Sequence, residues 1–124
     1  MKRIELEDQY GPVSVYLLPF LKPATVRHAL QREDINTYEE GVVAALQECE
    51  IDRLQRNILV AHQFVTGANR SDSEETSVGG LDNVSAEVFE GFDYVALGHI
   101  HRPQKMGRET LRYSGTPLKY SFSE

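Results

Sequence analysis

Asn57-Ile58-Leu59-Val60-Ala61-His62-Gln63 and, further along, Tyr94-Val95-Ala96-Leu97-Gly98-His99-Ile100-His101 are the two stretches that decide how this chain is read. In each, a short continuous apolar run (58–61, then 94–97) is bounded by polar residues, the pattern of a strand buried on both faces. Each run leads straight into imidazole at its carboxyl end. Between the two, Ser85 caps a short helix carrying Val88 and Phe89, which Gly91 ends. Strand, short helix, strand is one parallel crossover unit, expected to be right-handed, and it assigns the chain to the α/β class with mixed sheets and short helices.

Toward the amino end, Ile4 and Leu6 alternate with Glu5 and Glu7, a period of two that predicts a half-exposed strand over 2–8. Tyr10-Gly11-Pro12 turns it into a β-branched and aromatic strand over 13–18, making a hairpin that opens into a loop at 19–23. Thr25 is the expected cap of a short helix running through Gln31. Asn36 or Thr37, followed by Glu39 and Glu40, marks a second helix start, with Tyr38, Val42, Val43 and Leu46 at helical spacing up to about Cys49. Toward the carboxyl end, a turn over 103–107, a strand over 110–113, a bend at Gly115-Thr116-Pro117 and a further strand over 120–123 are expected. Residues 66–81, rich in Gly, Ser, Asn, Asp and Glu, read as a long mobile loop of the kind that often carries function. The acidic cluster Asp72, Glu74 and Glu75 within it reads as a solvated surface.

The 124 residues suit one domain or part of one, and 40% hydrophobic with 26% charged residues is ordinary for a folded chain. Thirteen basic against nineteen acidic residues give a net charge of −6, which argues against nucleic-acid binding through a basic surface. The single Cys49 has no internal disulfide partner, so a reducing cytoplasmic compartment is expected. No window approaches the roughly 18 apolar residues of a membrane span.

Three of the four histidines, His62, His99 and His101, stand at the ends of the two apolar runs. Ligands gather outside the carboxyl ends of parallel strands, so adjacent strands ending this way aim several imidazoles at one crevice. His99 and His101 are two apart, which in extended backbone puts both rings on one side and Ile100 on the other, with Gly98 permitting a sharp bend. Converging imidazoles suggest a metal site, and added carboxylates would make it a two-metal site suited to phosphoester cleavage. For His62 alone, a polar strand end is an equal reading. His28, on the short amphipathic segment, reads as structural. A mononuclear three-histidine zinc hydrolase is geometrically allowed, but no water-activating partner is evident. Cys49 lies between Glu48 and Glu50, whose charge would raise its pKa and disfavour it as a nucleophile. Ser114-Gly115-Thr116-Pro117 lacks the Gly spacing and Lys of a phosphate loop and reads as a tight turn.

Taken together, the segments 57–63 and 89–101, with Leu17-Leu18-Pro19-Phe20 and Tyr113-Ser114-Gly115-Thr116-Pro117-Leu118-Lys119-Tyr120-Ser121-Phe122-Ser123-Glu124, resemble the SbcD family of bacterial DNA repair exonuclease subunits. Gly-His-Ile-His by itself would indicate only a calcineurin-like metallophosphoesterase. The resemblance implies a four-layer α/β/β/α sandwich holding two metal ions, usually Mn2+ with Mg2+ as an option, between its sheets. It implies that His62 and His99 bind one ion and His101 the other, with Gln63 and Gly98 in the surrounding loops. It also implies DNA as substrate and an SbcC-type ATPase as partner.

The family's opening Asp-x-His strand, Gly-Asp turn and Gly-Asn-His-Asp turn, which supply the other ligands, the bridging carboxylate and the acid histidine, do not occur in these 124 residues. Residues 1–124 are therefore expected to match the carboxyl-terminal half of a nuclease core, with the amino-terminal ligand half and the capping domain outside them. Three imidazoles without the bridging carboxylate should hold metal weakly, so the chain alone is expected to be inactive. A half-sandwich would leave an apolar face and strand edges open, and self-association is expected. The alternative is a non-catalytic binding or assembly module that keeps the fold.

Overall fold

The alternating stretch at the amino end forms strand β1 (Lys2–Asp8), paired antiparallel in unbroken register with β2 (Gly11–Leu18). The turn between them is fixed by the Tyr10 amide, which donates to Asp8 Oδ1 at 2.8 Å. The Arg56 guanidinium anchors the same turn, donating to both Asp8 carboxylate oxygens at 2.6 and 2.9 Å and to the Gly11 carbonyl at 2.8 Å. The computed structural model describes residues 1–65, 82–120 and 122.

Helix α1 (Pro23–Leu30) begins one turn earlier in chemistry than Thr25 suggested: Lys22 is the cap residue, without a side-chain cap bond, and Pro23 opens the helix. Proline suits that position because its missing N–H has no acceptor there and its φ is already helical. Gln31, with φ of 53°, stops the helix. Helix α2 (Tyr38–Glu48) starts as the sequence indicates, with Thr37 Oγ1 accepting from the Glu40 amide at 3.1 Å. It ends at Cys49, whose thiol is raised in pKa first by burial and further by Glu48.

The two apolar runs become β3 (Arg56–His62) and β6 (Tyr94–Gly98), parallel to each other, with β2 parallel to β3 on the other side. Between them lie β4 (Phe64–Val65), β5 (Asn83–Val84) and a single 3-10 turn (Ala86–Phe89), where Ser85 Oγ accepts from the Glu87 amide as expected. β4 and β5 form a separate two-stranded parallel sheet. The expected loop over 66–81 and its acidic cluster lie outside the described residues.

The turn expected over 103–107 is instead strand β7 (Gln104–Met106), which pairs antiparallel with β8 (Arg108–Tyr113) across a turn at Gly107. Pro103 and Gly107 bracket the short strand and give it the composition of a loop. Tyr120 and Phe122 belong to no strand, and the rest of the strand expected over 120–123 lies outside the described residues.

The six-stranded sheet therefore runs β1-β2-β3-β6-β8-β7, four parallel inner strands with an antiparallel strand at each edge. On one face Tyr16, Leu18, Leu59, Ala61, Val95, Leu97, Leu111 and Tyr113 are buried in one cluster with Val42 of α2. Helix α1 packs on α2 through Val26, Ile35 and Ala44. The opposite face differs from expectation. β3 and β6 are buried on one side only, with Val60 41% and Tyr94 38% exposed, because among the described residues no element covers that side. Among the described residues, no helix is long and apolar enough to cross a membrane.

Candidate functional site

All four parallel strands end at one edge of the sheet, and the candidate residues collect there. His62 is the last residue of β3 and stands in register with Gly98, the last residue of β6. A Cβ on Gly98 would lie 2.9 Å from His62 Nδ1, so the missing side chain makes room for the imidazole. That is a different service from the bend expected of Gly98. The bend falls one residue later, at His99, whose φ is 99°.

The backbone over 99–101 is accordingly not extended. A left-handed φ at a residue with a Cβ costs on the order of 1–3 kcal/mol and persists only where the surroundings enforce it. Here the turn drops Ile100 into the main core, where it is 2% exposed. The segment after β8 braces the same bend: the Ser114 amide donates to the Leu97 carbonyl and the Thr116 amide to the His101 carbonyl, both at 3.1 Å. Gly115, at φ of 76°, passes so close to Pro103 that a Cβ would sit 2.7 Å from its ring. Ser114-Gly115-Thr116-Pro117 is thus a brace for the histidine loop, consistent with its reading as a turn.

The His99 ring lies 5.2 Å from that of His62, centroid to centroid, in an edge-on arrangement. Phe20, just past the end of β2, stacks nearly parallel on His99 at 5.9 Å and meets His62 edge-on at 6.1 Å. Tyr38 backs Phe20 at 5.8 Å and Phe64 approaches His99 at 6.4 Å. Phe20 is therefore the orienting residue that chemistry-bearing residue types alone do not reveal. The available signal was an aromatic residue directly after the Pro19 that ends a strand.

His101 is half-buried with its ring 5.6 Å from Tyr120. Partial burial lowers the pKa of His62 below the ordinary imidazole value, and the charge of His101 lowers it further. A neutral imidazole is the form that binds a metal ion. Among the described residues, however, no group of three His, Cys, Asp or Glu side chains is arranged to hold one. The structure brings His62 and His99 together, keeps His101 within electrostatic reach, and leaves His28 exposed in the last turn of α1.

Gln63 is fully buried behind the edge. Its carbonyl accepts from the Tyr113 hydroxyl at 2.6 Å, and that hydroxyl accepts from the Val65 amide at 2.8 Å. The Gln63 side-chain amide, by contrast, has no hydrogen-bond partner among the described residues, an arrangement that native interiors rarely tolerate. On the uncovered face of the sheet a cleft of about 440 Å³ is lined by Leu17, Pro19, Val60, His62, Ala96 and Ser114 among others.

What this edge offers chemically is a pair of imidazoles on a rigid sheet, held by an aromatic platform, above an apolar cleft. No protein-family model matches the chain.

Proposed function

We propose that this chain carries part of the two-metal site of a DNA repair nuclease subunit, a calcineurin-like metallophosphoesterase that works with an SbcC-type ATPase. The observation that carries the reading is the approach of His62 and His99 at the carboxyl ends of adjacent parallel strands, 5.2 Å between ring centroids. The left-handed backbone at His99 supports it, since strain of this kind collects at functional sites. The uncovered sheet face supports the finer architecture, in which a second sheet and its helices complete a four-layer sandwich.

In this reading His62 and His99 hold one ion and His101 helps hold the other. Their donor chemistry fits: imidazole suits Mn2+, and Mg2+, which prefers oxygen, would depend on carboxylates that join these histidines in the complete enzyme. When bound, two such ions supply Lewis acidity and water activation for phosphodiester hydrolysis, together with the positive charge an acidic chain lacks. Phe20 orients both rings, and Gly98 leaves the His62 imidazole its place. Gln63 holds the strand end through its backbone. Because the two imidazoles are an incomplete ligand set, the 124 residues alone bind the ion weakly and do not cleave DNA.

The test is paramagnetic broadening of imidazole proton signals by Mn2+, with His28 as the internal control. Selective broadening of His62 and His99, lost for the remaining ring in His62→Ala or His99→Ala, is the expected result. Equal broadening of His28, or none, overturns the reading. Manganese-dependent DNA cleavage by this chain alone, abolished by His99→Ala, would overturn the statement that it is inactive.

A further inference from the structure

The parallel strands start at the end of the sheet opposite the histidines, and that end has a site-like feature of its own. Ile51 and Arg53 lie just before β3, and Val88 and Phe92 just before β6. The seven residues of β3 set the two ends roughly 20 Å apart. Here α2, the 3-10 turn and the segment entering β3 leave a cleft of about 310 Å³ between them. Val43, Leu46, Ile51 and Val88, each half-buried, line it together with buried Phe92. Its polar side chains are Gln47 and Arg53. Ligand pockets share this composition, an apolar lining with a few fixed polar groups, and their volumes begin at roughly 300 Å³.

The backbone that carries Arg53 is a tied turn. The Leu54 amide donates to Asp52 Oδ1 at 3.0 Å, the Gln55 amide to the Asp52 carbonyl at 3.2 Å, and Asn57 Nδ2 to the Asp52 and Gln55 carbonyls at 2.8 and 3.1 Å. The guanidinium lies over Gly91, where a Cβ would collide with Nη1 and Cζ. Gly91 is therefore the seat of the guanidinium as well as the residue that follows the 3-10 turn. Arg27, Arg32, Arg56, Arg108 and Arg112 each donate to a carbonyl or carboxylate of the protein. Arg53 has no such acceptor among the described residues, although Asp52, Glu87, Glu90 and Asp93 are near in sequence to it or to its seat. Asp52 and Asp93 accept instead from the Leu54 and Asn57 amides. A planar guanidinium with open donors matches a carboxylate in geometry. The acidic neighbours raise the cost of a doubly charged phosphate, so a single negative charge is the better match.

We propose that this cleft binds a small apolar carboxylic acid, with its hydrocarbon part among Val43, Leu46, Ile51, Val88 and Phe92 and its carboxylate on the Arg53 guanidinium. The half-buried methyl groups gain cover from water when the acid enters, and the guanidinium gains the acceptor that the protein does not give it. The inference is independent of metal and of the nuclease reading, and its test uses neither.

The test is an NMR titration of the natural chain with isocaproate and, separately, with isocaproamide, the uncharged counterpart of the same shape. Isocaproate is expected to shift the methyl signals of Val43, Leu46, Ile51 and Val88 together, with a Kd about tenfold or more below that of the amide. Arg53→Gln removes this preference, and so does Gly91→Ala, which unseats the guanidinium, while the methyl signals of Ala61 and Ala96 at the other end of the sheet stay in place and show both variants folded. Arg53→Lys, which keeps the charge and loses the fork, retains part of it. Methyl signals that do not move at the highest soluble isocaproate concentration overturn the proposal. So do equal affinities for acid and amide, or a preference that survives in Arg53→Gln. A tetrapeptide ending in leucine with a free carboxyl terminus that binds more tightly than isocaproate overturns the small acid in favour of a polypeptide terminus.

Discussion

The two faces of the central sheet are made by the same strands in alternate residues, yet they differ in almost every physical respect. Leu59 and Val60 are neighbours in β3. The first is fully buried beneath α2, and the second is 41% exposed on the side that no described element covers. Ala96 and Leu97 in β6 divide in the same way, half-buried against 1% exposed. Hydrophobic character alone therefore does not say which side of a strand is core. A continuous apolar run records that both sides are suited to burial, while the structure shows one of the two burials made.

The comparison can be broken at a single pair of neighbours. Leu59→Ala removes packing inside a filled core and is expected to cost about 2–5 kcal/mol, whereas Val60→Ala at the open side should cost less than about 1 kcal/mol. Urea unfolding of both variants measures the gap. Equal losses would mean that the open face is covered in solution.

A smaller effect sharpens the contrast between strand and site. At His99 the usual order of alanine over glycine should invert, because φ of 99° is open to glycine and strained for any residue with a Cβ. His99→Gly is expected to be more stable than His99→Ala by on the order of 1–3 kcal/mol. Thermal unfolding of the pair checks it, and the ordinary order would show that the bend is relaxed in solution.

The smallest effect lies on the exposed flank. Hydrogen bonds from Arg56 and from the Tyr10 amide lower the Asp8 pKa from 3.8 to about 2. Because the folded value is depressed, the stabilisation is complete above the unfolded pKa and is lost as pH falls through about 2. Asp8→Asn should flatten that acid limb of the stability curve, with little change at neutral pH beyond the loss of an exposed pair.

Local signals carried much of the fold. Alternation located β1, the Thr37 and Ser85 caps located two helical starts, and the apolar runs located β3 and β6 as adjacent parallel strands, with His62 at the end of the first and His99 just past the end of the second. What stayed hidden depended on contacts rather than on local pattern. β4 and β5, two residues each, are too short to show a period. β7 is masked by Pro103 and Gly107 at its ends. The left-handed turn at His99 follows from the need to bury Ile100, and the role of Phe20 follows from where β2 ends relative to β3 and β6. The positions of His62 and His99 were legible; their spacing and the place of His101 beside Tyr120 were not.

The hydroxyl of Tyr113 binds the Gln63 carbonyl and the Val65 amide across sequence separations of 50 and 48 residues. Each of these bonds closes a long loop, and the entropy cost of such a closure grows only slowly with loop length, so one side chain can fasten distant stretches of chain. Tyr113 is thus a clasp behind the edge that carries the histidines: one hydroxyl fastens the end of β8 to the segment leaving β3, and its loss would free both at once.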